Sequence, residues 1–526
     1  MRGVESLPVK TGVALALAML TAVAALVTIA TLGGPTPVQT AHAVPVIPKR
    51  PNVVMLMTDD QTVDDMRVMP NTRRLIGGQG VTFSKSYVSY PVCCPSRATY
   101  LSGQYAHNHG VLGLYPPRGG YGRFDRWNSL PVWMQDDGYV TDHIGKYMNG
   151  YGSQVPDDVP PGWTEWHGAV DMSTYEMWGY TLNDNGHRHT YGSPFDENPQ
   201  LYQADVYRDK AVDFIDRRAP SRRPFFLSVA FLAPHHEIPE IRHGTGHLVR
   251  AAPGDQGTLA DEPLPASPAF GERDLSDKPA FVRKHGPMTD EEVQYIAQRH
   301  EDRQESLLAV DRAVASIVAA LRRTGDLNDT YIFFTSDNGY MQGEHDIASG
   351  KVVAYDPSTQ VPLLLRGPGI PHGRVSDELV GNIDLAPTIV DIGHATAGKQ
   401  MDGRSLLPYA RDPGLRSQRP LLHETAGPGY TPIRDHDAGE VQPVQPVLSY
   451  RAVRTDRWLW IEYSGGPREL YDLKRDPYEL QSLHADPAYR PVMAALHRTL
   501  HRLVHCRGAT CRANAPPVRP PPSAPL

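Results

Sequence analysis

Asn52-Val53-Val54-Met55-Leu56-Met57-Thr58-Asp59-Asp60-Gln61 joins an unbroken apolar run to two adjacent acids. An apolar run without polar alternation suits a strand buried on both faces, as in a parallel sheet covered by helices. Phe225 to Leu232, Tyr331 to Thr335 and Val361 to Leu365 repeat the pattern, and Val140 and Ile144 mark another strand that runs into Gly145-Lys146. Three runs stop at polar clusters: Thr58-Asp59-Asp60-Gln61, Ala233-Pro234-His235-His236 and Ser336-Asp337-Asn338-Gly339. Open α/β sheets place their sites just beyond the C-terminal ends of strands, so these clusters are where chemistry is expected.

Helical stretches separate the strands. Residues 95–102 accept Pro95 in the first turn and stop at Gly103, and Asn128 or Ser129 can cap a helix that ends at Gly138. Across 292–324, Ile296, Leu307, Val310, Val314, Ile317 and Leu321 recur at helical spacing, and Gly325 ends the run. This alternation predicts an α/β fold, its sheet wrapped on both faces, over residues 51–400. Residues 240–290, rich in Pro, Gly and charge, read as a long surface excursion. Beyond about residue 400 the pattern changes. Short strands are expected at 450–455, 457–463 and 468–473, and Val492, Leu496, Leu500 and Leu503 form one stripe of a closing helix. That predicts a smaller C-terminal α+β subdomain over 401–505, then a Cys loop and Pro-rich tail over 506–526, disordered from 512 onward.

The chain has 526 residues, 40% of them hydrophobic and 21% charged, enough for a large core. Its net charge is −7 and no basic stripe stands out, which argues against nucleic acid as a partner. Arg2 and Lys10 precede an apolar stretch from Val13 to Leu32, followed by the small-x-small site Ala41-His42-Ala43. Residues 1–43 therefore read as an export signal, with 44–50 as a short lead-in; the rival is an uncleaved membrane anchor. In an exported chain, Cys506 and Cys511 are expected to form a small disulfide loop. Cys93 and Cys94 are adjacent and poorly placed to bridge to each other, so this leftover pair is the first sign of chemistry.

Cys93-Cys94-Pro95-Ser96-Arg97 resembles the Cys-x-Pro-Ser-Arg motif of type I, formylglycine-dependent sulfatases. The match continues through Ala98-Thr99-Tyr100-Leu101-Ser102-Gly103-Gln104-Tyr105. The resemblance implies an alkaline-phosphatase-like fold: a large mixed, mostly parallel sheet under helices on both faces. It also implies that a formylglycine-generating enzyme oxidises Cys93 to formylglycine before folding completes, with Cys94 at the variable position. The chemistry is coherent. A helix N-terminus presents free N–H groups and partial positive charge to a sulfate. A hydrated aldehyde carries two hydroxyls: one attacks sulfur, and the other later expels the sulfate and restores the aldehyde. A Ser or Thr would be left as a stable sulfate ester. Arg97, one turn further on, can support the hydrate.

Asp59-Asp60 and Asp337-Asn338 are the oxygen ligands that the resemblance implies for a divalent cation, together with position 93. Taken singly, either pair would read as turn formation. All-oxygen ligation suits Ca²⁺, or Mg²⁺, rather than Zn²⁺. Gly145-Lys146-Tyr147, Ala233-Pro234-His235 and Lys351 in Gly343-Glu344-His345-Asp346-Ile347-Ala348-Ser349-Gly350-Lys351 resemble further family segments. They imply that Lys146, His235 and Lys351 bind sulfate oxygens, and that a Lys or His235 protonates the leaving alcohol.

One position departs. Many sulfatases carry Lys-aromatic-His after that Gly, whereas here Met148 follows Lys146-Tyr147. The glucosamine-6-sulfatase branch is similar at this point, and shares Cys-Cys-Pro-Ser-Arg and His107-Asn108-His109; either His109 or His235 is left to take the missing role. The resemblance spans residues 51–485 and includes Asp384-Leu385-Ala386-Pro387-Thr388 and Glu469-Leu470-Tyr471-Asp472-Leu473 as framework. It implies hydrolysis of sulfate esters, on sulfated sugars or aryl sulfates. The rivals are a formylglycine-dependent phosphodiester or phosphonate monoester hydrolase and an inactive protein that binds sulfated glycans. Trp163, Trp166, Tyr175, Trp178 and Tyr180 are candidate sugar platforms, with loop packing as the plain alternative.

Overall fold

The apolar run that opens the body of the chain forms strand β1, Asn52–Thr58, and all seven residues are buried. The structure is a computed structural model; it describes residues 50–521 apart from 220, 222, 238–248, 261, 266, 284–286 and 427–447. The export-signal segment and nearly all of the lead-in lie outside the described residues. Among the described residues, no helix is long and apolar enough to cross a membrane.

In chain order, β1 is followed by β2 (Val81–Tyr87), β3 (Val140–Gly145), β4 (Glu165–Ala169), β5 (Tyr180–Asp184), β6 (His187–Tyr191), β7 (Phe225–Ala230), β8 (Thr330–Ser336), β9 (Leu363–Arg366) and β10 (Arg374–Gly381). Among the described residues these ten form one sheet in the order β10-β2-β9-β8-β1-β7-β3-β4-β5-β6. The five strands β8, β1, β7, β3 and β4 run parallel at its centre. Antiparallel pairings flank them, β9 on one side and β5 with β6 on the other, so the sheet is mixed.

Alternation along β1 explains why its apolar run is unbroken. Val54 and Leu56 pack on one face with Phe214 of α3 (Gln203–Arg218) and with Leu307, Val310 and Val314 of α4 (Asp290–Thr324). Val53, Met55 and Met57 pack on the other with Cys94 and Ala98 of α1 (Cys93–Ser102), Trp133 of α2 (Leu130–Asp136) and Ile389 of α5 (Leu385–Gly393). Burying a Val or Leu fully stabilises by ~1.5–3 kcal/mol, so both faces must stay apolar.

Helix limits differ from the sequence reading in explicable ways. α1 begins at Cys93, two residues before Pro95. Pro95 still falls within the first turn, where a missing N–H loses no helical bond. Gly103 caps the end at φ +66. α4 begins at Asp290 because Thr289 and Glu292 form a reciprocal capping box, and Gly325 ends it at φ +83.

Past residue 400, β11 (Leu421–Glu424), β12 (Tyr450–Arg454), β13 (Trp458–Tyr463) and β14 (Arg468–Asp472) form an antiparallel sheet. Helix α6 (Arg490–Leu503) lays Val492, Leu496, Leu500 and Leu503 against Leu422, Val453, Trp460 and Leu470. Cys506 and Cys511 are disulfide-bonded. The Cys506 carbonyl accepts hydrogen bonds from His107 Nε2 (3.0 Å) and Asn108 Nδ2 (2.9 Å), tying the chain's end to the segment after α1. The expectation of disorder from 512 onward is corrected in part. Ala515 N donates to the Gln418 carbonyl at 2.9 Å, and Trp458 Nε1 donates to the Val518 carbonyl at 2.8 Å. An extended Pro-rich segment keeps its carbonyls free to accept, so sheet side chains can hold it.

Candidate active site

Four strand ends and one helix start meet at the site. β1 delivers Asp59 and Asp60, β8 delivers Asp337 and Asn338, β3 leads into Lys146, and the loop after β7 brings His235. Gly145 makes the exit from β3 possible: it sits at φ +98, and a Cβ there would lie 2.2 Å from the Ala230 carbonyl oxygen. Cys93 is the first residue of α1, and Lys351 arrives from the loop after β8. None of these nine residues, Arg97 included, is more than 4% exposed.

Cys93 Sγ lies 3.4 Å from Asp59 Oδ1, 3.5 Å from Lys146 Nζ and 3.3 Å from Lys351 Nζ. Lys146 Nζ pairs with Asp59 Oδ2 and Lys351 Nζ with Asp60 Oδ1, each at 2.6 Å. Arg97 donates to Asp337 Oδ2 (2.8 Å), Asp59 Oδ2 (2.8 Å) and the Lys146 carbonyl (2.6 Å). Asn338 Nδ2 donates to Asp60 Oδ1, and His235 Nε2 stands 3.8 Å from Asp60 Oδ2. The nine residues singled out from the sequence as catalytic groups or metal ligands therefore occupy one locus.

Three carboxylates face three cations, so repulsion among the acids alone does not demand a metal. Burial raises the Asp59 carboxyl, but Lys146, His235, Arg97 and Lys351 together hold it well below the usual range. Asp60 is likewise lowered, burial being outweighed chiefly by Lys351 and His235. Asp337 is raised, by burial and then by the Asp59 charge. The Cys93 thiol is pushed up by burial and by Asp59, which keeps it protonated. A protonated thiol is a poor nucleophile.

A cation nevertheless fits. Asp60 Oδ2 and Asn338 Oδ1 are buried with no hydrogen-bond partner among the described residues. Ligand atoms of Asp59, Asp60, Cys93 and His235 lie within 4.8 Å of one another. Asp337 borders this group, its Oδ2 taken by Arg97 and its Oδ1 accepting from the Asp60 amide at 3.3 Å.

The sulfatase family model matches residues 51–395. The chain belongs to the sulfatase family. A second model, N-sulphoglucosamine sulphohydrolase, C-terminal, matches residues 343–505 of the sulfatase. Human N-acetylglucosamine-6-sulfatase is 34% identical over 497 residues, which is 88% of this chain and 86% of that protein. An arylsulfatase of Volvox carteri is 32% identical over 502 residues, 88% of this chain and 76% of that one. A solved structure described as a complex with its substrate D-glucosamine-2-N,6-O-disulfate superposes with a TM-score of 0.71 at 22% identity, covering 86% of this chain and 97% of the other. That likeness carries the alkaline-phosphatase-like fold, and family membership makes the protein a sulfuric ester hydrolase.

Other expectations sort by packing. Trp163, Trp166, Trp178 and Tyr180 are at most 5% exposed and form core, so the sugar-platform reading is corrected for them. Tyr175 is as buried but borders the site, its ring 4.5 Å from Lys146 Nζ and 5.0 Å from the His235 ring, with its hydroxyl accepting from Asn149 Nδ2 at 2.7 Å. Met148 points its sulfur at Cys94, 3.8 Å away, and is core. His109 has both ring nitrogens engaged, by Thr99 Oγ1 at 3.0 Å and the Val111 amide at 3.1 Å, whereas His235 sits beside Asp60. Sequence reasoning passed over Arg303, although its charge on the apolar stripe of α4 was a visible signal.

Proposed function

We propose that this sulfatase removes sulfate from a 6-O-sulfated hexosamine, with Cys93 oxidised to formylglycine and a bound Ca²⁺ or Mg²⁺. The observation that carries the reading is Cys93 itself: it heads α1, enclosed by Asp59, Lys146 and Lys351. Sγ marks where the oxidised carbon's oxygens would begin. As a hydrate, formylglycine supplies one hydroxyl for attack on sulfur and a second for release of the sulfate. Asp59, Asp60, Asp337 and Asn338, with position 93, would hold the cation, which polarises sulfate oxygens when bound.

The remaining work falls to side chains in place. Lys146 and Lys351 flank position 93 and neutralise a sulfate brought to it. The first-turn N–H groups of α1 add positive potential at the same point. Arg97 holds Asp59 and Asp337 in register. His235 Nδ1–H donates to the His236 carbonyl at 2.7 Å, and burial lowers the ring's pKa, so an unprotonated Nε2 faces the site as a proton acceptor. Lys146, held protonated by Asp59, is a group that can pass a proton to the leaving oxygen. The site excludes bulk water, which strengthens each of these interactions.

The sugar assignment rests on the human relative's name and the substrate in the similar solved structure. Export, with maturation by a formylglycine-generating enzyme, is part of the same proposal; the Cys506–Cys511 disulfide supports an oxidising compartment. Tryptic mass spectrometry of protein from a host with that maturase should find an aldehyde at Cys93 and an unmodified Cys94. A free thiol at Cys93 throughout would overturn the mechanism. A panel of sulfated monosaccharides with an aryl sulfate control then tests the substrate. Turnover of the aryl sulfate alone would overturn the hexosamine assignment.

A further inference from the structure

α4 presents Ile296, Leu307, Val310 and Val314 to the core, and Arg303 stands on the same stripe, seven residues after Ile296 and four before Leu307. Its side chain is fully buried, with the guanidinium 4.8 Å above the ring of Tyr340. Nη2 donates to the Asp60 carbonyl at 2.6 Å, and Nη1 donates to the Pro234 carbonyl at 3.3 Å. Nη2 also meets Asp65 Oδ2 at 3.1 Å. A plain core ion pair would put its shortest contact on the acid. Here the shortest contact is the Asp60 carbonyl, and Asp65 already accepts from the Thr62 amide at 2.8 Å and from Gln304.

The two carbonyls belong to the two walls of the site. One is Asp60's own; the other precedes His235 directly. Asp60 sits at φ +65, a left-handed conformation that side chains other than glycine seldom adopt, so its backbone needs an external hold. We propose that Arg303 is a positioning residue that clamps the β1 and β7 exits together and so sets the spacing between Asp60 and His235. The proposal rests on the metal-assisted reading above. The planar fork matters: a lysine has the charge but one nitrogen, which cannot span both carbonyls in this way.

Arg303→Lys tests it, read by melting temperature, by calorimetric Ca²⁺ titration of chelator-stripped protein, and by kcat and KM on an aryl sulfate. The expected result is a folded protein with at least tenfold weaker Ca²⁺ binding and at least tenfold lower kcat, with KM changed less. Ca²⁺ affinity and kcat both within twofold of wild type in folded Arg303→Lys would overturn the proposal. If Arg303→Lys does not fold, the double variant Asp65→Asn/Arg303→Met, which removes the buried charges together, carries the same thresholds. Failure of both to fold would also overturn it, because Arg303 would then be a folding residue. Absence of Ca²⁺ binding in the wild type would instead sink the metal reading, and kcat alone would then decide Arg303.

Discussion

Adding Ca²⁺ to chelator-stripped protein should raise its melting temperature, and the size of the rise follows from two atoms. Asp60 Oδ2 and Asn338 Oδ1 are buried without a hydrogen bond among the described residues. An unmet buried polar atom costs ~1–3 kcal/mol, so ligation of both contributes ~2–6 kcal/mol. Unfolding entropy is ~2.1 cal/mol/K per residue, or ~1 kcal/mol/K for a chain of this length, which converts the gain to ~2–6 °C. Mass action sets the dose: Ca²⁺ at ~100 times its Kd contributes ~2.7 kcal/mol. Differential scanning fluorimetry over a Ca²⁺ series, with Mg²⁺ in parallel, reads the shift directly. The double variant Asp60→Asn/Asn338→Ala should show none. No shift in the wild type, or an equal shift in the variant, would refute the reasoning.

Cys93→Ala should abolish turnover while Cys94→Ala, losing one sulfur from a packed site beside Met148, keeps most activity at a cost of ~1 kcal/mol in stability; a dead Cys94→Ala with active Cys93→Ala would show the register to be wrong. Asp142 is fully buried with neither carboxyl oxygen hydrogen-bonded among the described residues, and burial, only partly countered by His167, pushes it up to about 7 from 3.8. Its folded value lies above its unfolded one, so its favourable contribution is present below pH 3.8 and lost as pH rises through about 7. Asp142→Asn should therefore gain stability over the wild type across that window, by up to ~4 kcal/mol, and parallel melting curves from pH 4 to 8 would count against this. Cys506→Ser/Cys511→Ser opens a short loop and should cost ~2 kcal/mol, measured by denaturant titration; an unchanged midpoint would exclude the loop as a clamp.

The central sheet was legible because Val53 to Met57 and Ile332 to Phe334 admit no polar residue on either face, and only a doubly covered strand tolerates that. The acids at their ends were legible for the same reason, since each apolar run stops abruptly. Direction was not: β9 is as apolar as its neighbours yet runs antiparallel, because periodicity records burial and says nothing of polarity. Long-range pairing was also hidden. Lys351 reaches Asp60 across 291 positions, and the balance of three cations against three acids exists only once the strands are assembled. The aromatics of 163–180 could be read as sugar platforms or as packing because surface and core use the same residue types there; four of the five are core, and Tyr175 borders the site.

Cys93 is 2% exposed, so the finished fold leaves a modifying enzyme no access to it. Asp59 precedes it and Lys146 follows it by 53 positions, but the rest of the enclosure is made late: Asp337 follows Arg97 by 240 positions, and Lys351 follows Cys93 by 258. At ~5–20 residues per second, a ribosome needs roughly 13–50 s to bridge that gap. Chain order thus acts as a clock, holding position 93 open for tens of seconds of synthesis and closing it when β8 and the loop behind it arrive. A circular permutant that began at residue 326, with β8 first, would stop that clock early, and its yield of oxidised Cys93 would fall even if its final fold were the same.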